Sequence, residues 1–184
     1  THNARQALLP GYGLSLVGAL VFILGGVADL IWHTLFGIEI AFDAIISPSH
    51  LVLSVGAALL VSGPLRYGWQ KEKSATFITI VSAALFLSTL TFMTEYIHPF
   101  GSAWGRTDRI PVITDDLLVE SDIGASGTFF LQSVSEAGIM FHTALLMGLI
   151  LMLIRRFGTL PRGSLTLMLT LNGAYSVGMS GNYE

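Results

Sequence analysis

Apolar residues in this chain come in long, nearly unbroken runs set apart by short polar punctuation. Neither the period-2 alternation of a half-buried strand nor the stripe of a surface helix gives that pattern. Such runs are read as helices that cross a hydrocarbon core, which takes about 20 residues. They fall at 9–36, 49–66, 74–97, 127–154 and 163–181. The first opens with Pro10, tolerable in a first helical turn, and carries Gly18, Gly25 and Gly26, which let a neighbouring helix approach closely. Ser47-Pro48-Ser49 starts the second: Ser47 is placed to cap free N–H groups and Pro48 to fill the first turn. Ser62-Gly63-Pro64 is expected to end it. The third run closes at Glu95-Tyr96-Ile97-His98-Pro99, where the proline opposes continuation. The fifth carries Asn172 and the small-residue pair Ala174 and Gly178.

Between the runs, 38–47 reads as a short interfacial or re-entrant segment, and 98–126 as an outer acidic loop with Asp108, Asp115, Asp116, Glu120 and Asp122. No repeat or soluble second domain interrupts the pattern. Residues 1–184 are therefore expected to form a single all-α integral membrane domain, a bundle of about five transmembrane helices. The first run is too long for the h-region of a cleaved signal peptide.

Composition strengthens this reading and narrows the chemistry. The chain is 52% hydrophobic and 11% charged, with a mean hydropathy of +0.69, whereas soluble domains carry about 25% charged residues. A formal net charge of -3 without a basic tract excludes nucleic acid as a partner. The lipid bilayer, other membrane subunits or further copies of the chain remain. The absence of cysteine rules out thiolate metal sites, iron–sulfur clusters and disulfides, which leaves His and carboxylate as the strong ligand types. Charge also sets an expected orientation. Arg5, Arg66, Lys71, Lys73, Arg155, Arg156 and Arg162 fall on one side of a five-span arrangement, and Arg106 and Arg109 on the other. The positive-inside rule then puts the first side and the N-terminus in the cytoplasm of a cell bounded by a plasma or inner membrane.

The same arrangement gathers Asp29, His33, Glu39, Asp43, His50, Glu95 and His98 at the outer side. Asp29 lies deep in an apolar helix, where an isolated acid costs roughly 2.5–3.5 kcal/mol on insertion scales, so it needs a partner. His33, four positions on, shares its helical face, and His50 can return to the same level at the start of the next helix. Two readings stand side by side: a hydrogen-bonded Asp–His network, or a metal site of one carboxylate and two imidazoles suited to copper or zinc. Glu39 and Asp43 share a face that is either simply solvated or a second shell and cation funnel for the site. Glu95 and His98 can hydrogen-bond to each other, or His98 can support the metal site while Glu95 carries protons. Glu136, with Gln132 one turn above, is the other proton-carrier candidate, and His142 reads as a packed helix contact. Haem ligation by pairs among His33, His50, His98 and His142, and a zinc hydrolase using Ser47 or Ser49, are further alternatives. The hydrolase lacks a paired HxxxH segment on a later helix.

Asp29, Trp32-His33 and Pro48-Ser49-His50 together resemble the C subunit of particulate methane monooxygenase and ammonia monooxygenase. The resemblance is confined to Asp29–His50. It implies copper held within the membrane by Asp29, His33 and His50, in a monooxygenase-type subunit that activates oxygen on a small apolar substrate. The alternative from a different class is a non-catalytic structural or accessory subunit of a larger membrane complex, with the three residues as a hydrogen-bonded network.

Overall fold

The computed structural model describes residues 8–37, 47–98 and 123–180, with side chains described outside 123–132 and 179–180. Among them the chain is all-helical: α1 (Gly13–Phe36), α2 (Pro48–Val61), α3 (Gly63–Lys71), α4 (Phe77–Met93), a single 3-10 turn (Glu95–Ile97), α5 (Ile123–Phe157) and α6 (Ser164–Ser180). Three helices are long and apolar enough to cross a membrane: α1, the α2–α3 rod Pro48–Lys71, and Ser133–Phe157 within α5. Each of the first two has 24 residues, about 36 Å at 1.5 Å per residue.

Helices α1 and α2 run antiparallel and in close contact. Glycine makes this possible. A Cβ on Gly18 would lie 2.6 Å from Leu60 N and 2.8 Å from Gly56 O, and one on Gly56 would lie 2.6 Å from Phe22 N. Gly25 packs on Leu53, whereas a Cβ on Gly26 would meet nothing within 4 Å, so the third expected contact glycine faces outward. At one end of this seam the Arg66 guanidinium ties the start of α1 to the end of α2. Its Nε donates to Gly11 O (2.9 Å), Nη1 to Ser62 Oγ (2.6 Å), and Nη2 to Ser15 Oγ (2.8 Å) and Leu59 O (2.9 Å).

Helix α4 packs on α2, α3 and α6. Ser82 stitches it to the rod, donating to Val61 O (2.5 Å) and accepting from Leu65 N (3.0 Å), and Thr91 donates to Asn172 Oδ1 of α6 (2.8 Å). The buried apolar core lies among α3, α4, α5 and α6, with Leu65, Ile80, Leu87, Leu153, Phe157 and Met168 at its centre. Apolar side chains cover most of the outside: Leu20, Ile23, Leu24, Leu30, Met140 and Leu151 are exposed. Such an exposed apolar surface is consistent with a protein that sits in a bilayer.

Several boundaries differ from those expected. Pro10 lies in a turn before α1, which starts at Gly13. The second helix does not stop at Ser62-Gly63-Pro64. Ser62 N still donates to Ala58 O (3.2 Å) and Arg66 N to Ser62 O (2.9 Å), and Pro64 falls in the first turn of α3, where no donor is required. The third run is helical over Phe77–Met93, because Thr76 caps it by accepting from Thr79 N and Thr94 closes it. Helix α5 begins at Ile123, inside the stretch expected as loop. The rest of that loop apart from His98, and the interfacial segment apart from Ser47, lie outside the described residues.

Candidate metal centre

Asp29 and His33 stand one turn apart near the C-terminal end of α1, and α2 begins opposite them. Gly37, with φ at 85°, ends α1 in a conformation that favours glycine. Its N–H donates to His33 O (3.0 Å), and its carbonyl accepts from His33 Nδ1–H (3.1 Å). A carbonyl can only accept, so this bond fixes the neutral ring with its lone pair on Nε2. That nitrogen lies 3.5 Å from Asp29 Oδ1.

The start of α2 supplies the other half. Ser47 caps the helix by accepting from His50 N (3.4 Å), and its hydroxyl lies 2.7 Å from His50 Nδ1. Ser49 donates to Asp29 Oδ1 (2.7 Å). The Ser47 hydroxyl and His50 Nδ1 thus share one hydrogen bond, its direction set by the tautomer of the ring. His50 Nδ1 also lies 3.5 Å from Asp29 Oδ1. The two rings meet edge to face, 5.9 Å between centroids.

One carboxylate oxygen and two ring nitrogens thus converge within 4.8 Å of one another. The side chains are 22–25% exposed. Separations of 3.5 Å are long for hydrogen bonds. They do suit the edge of a tetrahedron of ligands at zinc- or copper-type bond lengths, about 3.4 Å for bonds of roughly 2.05 Å. The His33 Nδ1 bond to Gly37 and the Ser49 bond to Asp29 are what orient metal ligands elsewhere: a second hydrogen bond fixes ring and carboxylate.

Beside the group, a crevice of about 630 Å³ runs between α1, α2, α4 and α6, its wall including His50, Phe22, Leu53, Phe92 and Tyr175. Its lining is mostly apolar.

The other expected site residues are placed elsewhere. Glu39 and Asp43 lie outside the described residues, as does the side chain of Gln132. Glu136 is exposed on α5. Glu95 and His98 are 4% and 3% exposed, packed against α5 and α6 and not against Asp29. The side-chain bond expected between them is not formed: among the described residues Glu95 has no hydrogen-bond partner, and His98 Nε2 instead lies 3.3 Å from Ser176 Oγ. His142 is the packed contact expected of it, with Nδ1–H donating to Gly138 O (2.9 Å) and Nε2 3.0 Å from Thr94 Oγ1. Two features were not foreseen: Ser49 as the partner of Asp29, and the edge-to-face contact of His98 with His142, 4.4 Å between centroids. The Pro48-Ser49-His50 helix start was the available signal for Ser49. No protein-family model, curated protein or solved structure matches the chain.

Proposed function

We propose that this chain is an integral membrane protein of about five transmembrane helices that holds one transition-metal ion through Asp29 Oδ1, His33 Nε2 and a ring nitrogen of His50. The observation that carries the reading is the convergence of one carboxylate and two imidazoles within 4.8 Å, with the second nitrogen of His33 already committed to a carbonyl. In the neutral ring His33 Nε2 faces Asp29 Oδ1 lone pair to lone pair, a repulsion that a cation or a proton between them removes. Copper is the ion assigned, since two nitrogens and one oxygen favour it over other divalent first-row metals and the resemblance over Asp29–His50 points the same way. That resemblance extends the reading to oxygen activation on a small apolar molecule, and the apolar crevice bordering His50 offers such a molecule a route from the bilayer. The N-terminus is cytoplasmic and the metal centre on the outer side of a plasma or inner membrane.

A second reading is favoured by the short Ser47–His50 and Ser49–Asp29 hydrogen bonds. In it the same side chains form a structural network in an accessory subunit of a larger membrane complex. Metal content separates the two. Full-length protein equilibrated with copper or zinc and then desalted is expected to retain about one ion per chain, and His33→Ala and His50→Ala to retain none while keeping wild-type helicity. A folded wild-type protein that retains neither metal leaves the network reading standing.

A further inference from the structure

The second half of the bundle holds a cluster that the metal centre does not use. Just beyond the end of α4, the turn Glu95–Ile97 is pressed so tightly on α5 that Gly138 meets Ile97 O with no room for a side chain. This packing buries Glu95, His98, His142 and Ser176 together, at 4%, 3%, 8% and 0% exposure. Among the described residues, neither Glu95 oxygen has a hydrogen-bond partner. Every element around it contributes a definite set of polar groups. The turn brings His98, α5 brings His142, and α6, which has no charged side chain, brings Ser176. Among the described residues no Lys or Arg is paired with Glu95.

With only the Ser176 hydroxyl close by, burial makes the ionised carboxylate far costlier than the neutral acid. Glu95 therefore belongs in this site with a proton on it. His142 is built to exchange one. Its Nδ1–H is anchored on Gly138 O, while Nε2 faces the Thr94 hydroxyl (3.0 Å), which has Leu90 O and Thr91 O as alternative acceptors, each at 3.2 Å. With the ring neutral, Thr94 donates to Nε2. With the ring protonated, Nε2–H donates to Thr94 and the hydroxyl turns to a carbonyl. Neither state leaves a buried donor unused. His98, in edge contact with His142 at 4.4 Å, stands between the ring and Ser176.

We propose that Glu95, His98 and His142 form a buried proton-binding site, distinct from the metal centre, in which Glu95 carries one exchangeable proton and the neighbouring imidazoles tune how tightly it is held.

The test is infrared titration of the full-length chain in lipid nanodiscs with a chelator present. The carbonyl stretch of a protonated carboxylic acid is expected at neutral pH, shifting in heavy water and vanishing on alkaline titration. It should be absent in Glu95→Gln, retained but displaced in Glu95→Asp, and unaffected by His33→Ala. His142→Gln should move the midpoint of its titration. No such band at neutral pH, or a band untouched by Glu95→Gln, overturns the site; a midpoint unmoved by His142→Gln removes the imidazole from it. Should Glu95→Gln fold poorly, Glu95→Asp and the wild-type titration decide. Because ionised Glu95 has no partner, wild-type thermal stability should fall on the alkaline side more than that of a folded Glu95→Gln variant, and equal losses would also count against the proposal.

Discussion

Ser49 Oγ reaches across the α1–α2 seam to Asp29 Oδ1 at 2.7 Å, while Gly37 O holds His33 Nδ1 at 3.1 Å. Each contact orients a ligand atom without occupying the space between the three. On the metal reading, removing such a support weakens binding without abolishing it, typically by 10–100-fold. Ser49→Ala is therefore expected to keep a full complement of metal at saturating copper but to show a dissociation constant about 10–100 times higher in a competitive chelator titration. An affinity equal to wild type would remove Ser49 from the site. Asp29 and His33 were legible in the sequence because their four-residue spacing makes them neighbours on any helix. His50 was legible through the start signal at Ser47-Pro48. Ser49 was not, since whether position 49 or position 50 faces Asp29 depends on how far α2 is slid and rotated along α1. The Glu95–His98 bond expected from the sequence does not form for a related reason: the backbone tightens into a 3-10 turn after Thr94, and packing on α5 and α6 turns His98 to Ser176 instead.

That register is set by glycines. A Cβ on Gly18 would intrude on Leu60 N, Leu59 Cβ and Gly56 O at 2.6–2.8 Å, two of them backbone atoms that cannot swing aside, whereas Gly26 opens on nothing within 4 Å. Gly18→Val is expected to lower stability by about 1–3 kcal/mol, the usual cost of overpacking, and to loosen the metal centre by shifting α2 along α1. Gly26→Ala should be neutral or stabilising by up to about 1 kcal/mol, because alanine is the better helix former. Thermal unfolding of both variants in detergent, read beside copper affinity, checks the pair, and equal effects at the two positions would contradict this account of the seam. The helices themselves were legible from their apolar runs, and their ends less so. Ser62-Gly63-Pro64 reads as a stop by composition, but Arg66 gathers Ser62, Ser15, Leu59 and Gly11 around one guanidinium. With those groups satisfied, the rod continues to Lys71. Only tertiary partners reveal that.

The two ends of the bundle differ in kind. At one end Arg156 of α5 donates to Trp69 O (2.9 Å, through Nε) and Glu72 O (3.1 Å) at the close of α3, which brings Arg66, Lys71, Lys73, Arg155 and Arg162 to the same level as the start of α1. At the other lie the Asp29–His33–His50 group and, beyond α4, Glu95 and His98. Antiparallel α1 and α2, with Gly11 against Arg66 at one end and Asp29 against Ser49 at the other, make the separation a property of the packing as well as of the apolar runs. Cationic flanks are retained on the cytoplasmic side, so the metal centre and the buried acid should face outward. In intact cells, a cysteine substituted at Ser121 should therefore react with a membrane-impermeant maleimide, while one at Ser74, which is exposed between α3 and α4, should react only after permeabilisation. The reverse pattern would turn the bundle over. Copper would then load from the cytoplasmic pool, and the exchangeable proton on Glu95 would equilibrate with cytoplasmic pH, so the labelling also decides which compartment's metal and acidity the two sites report.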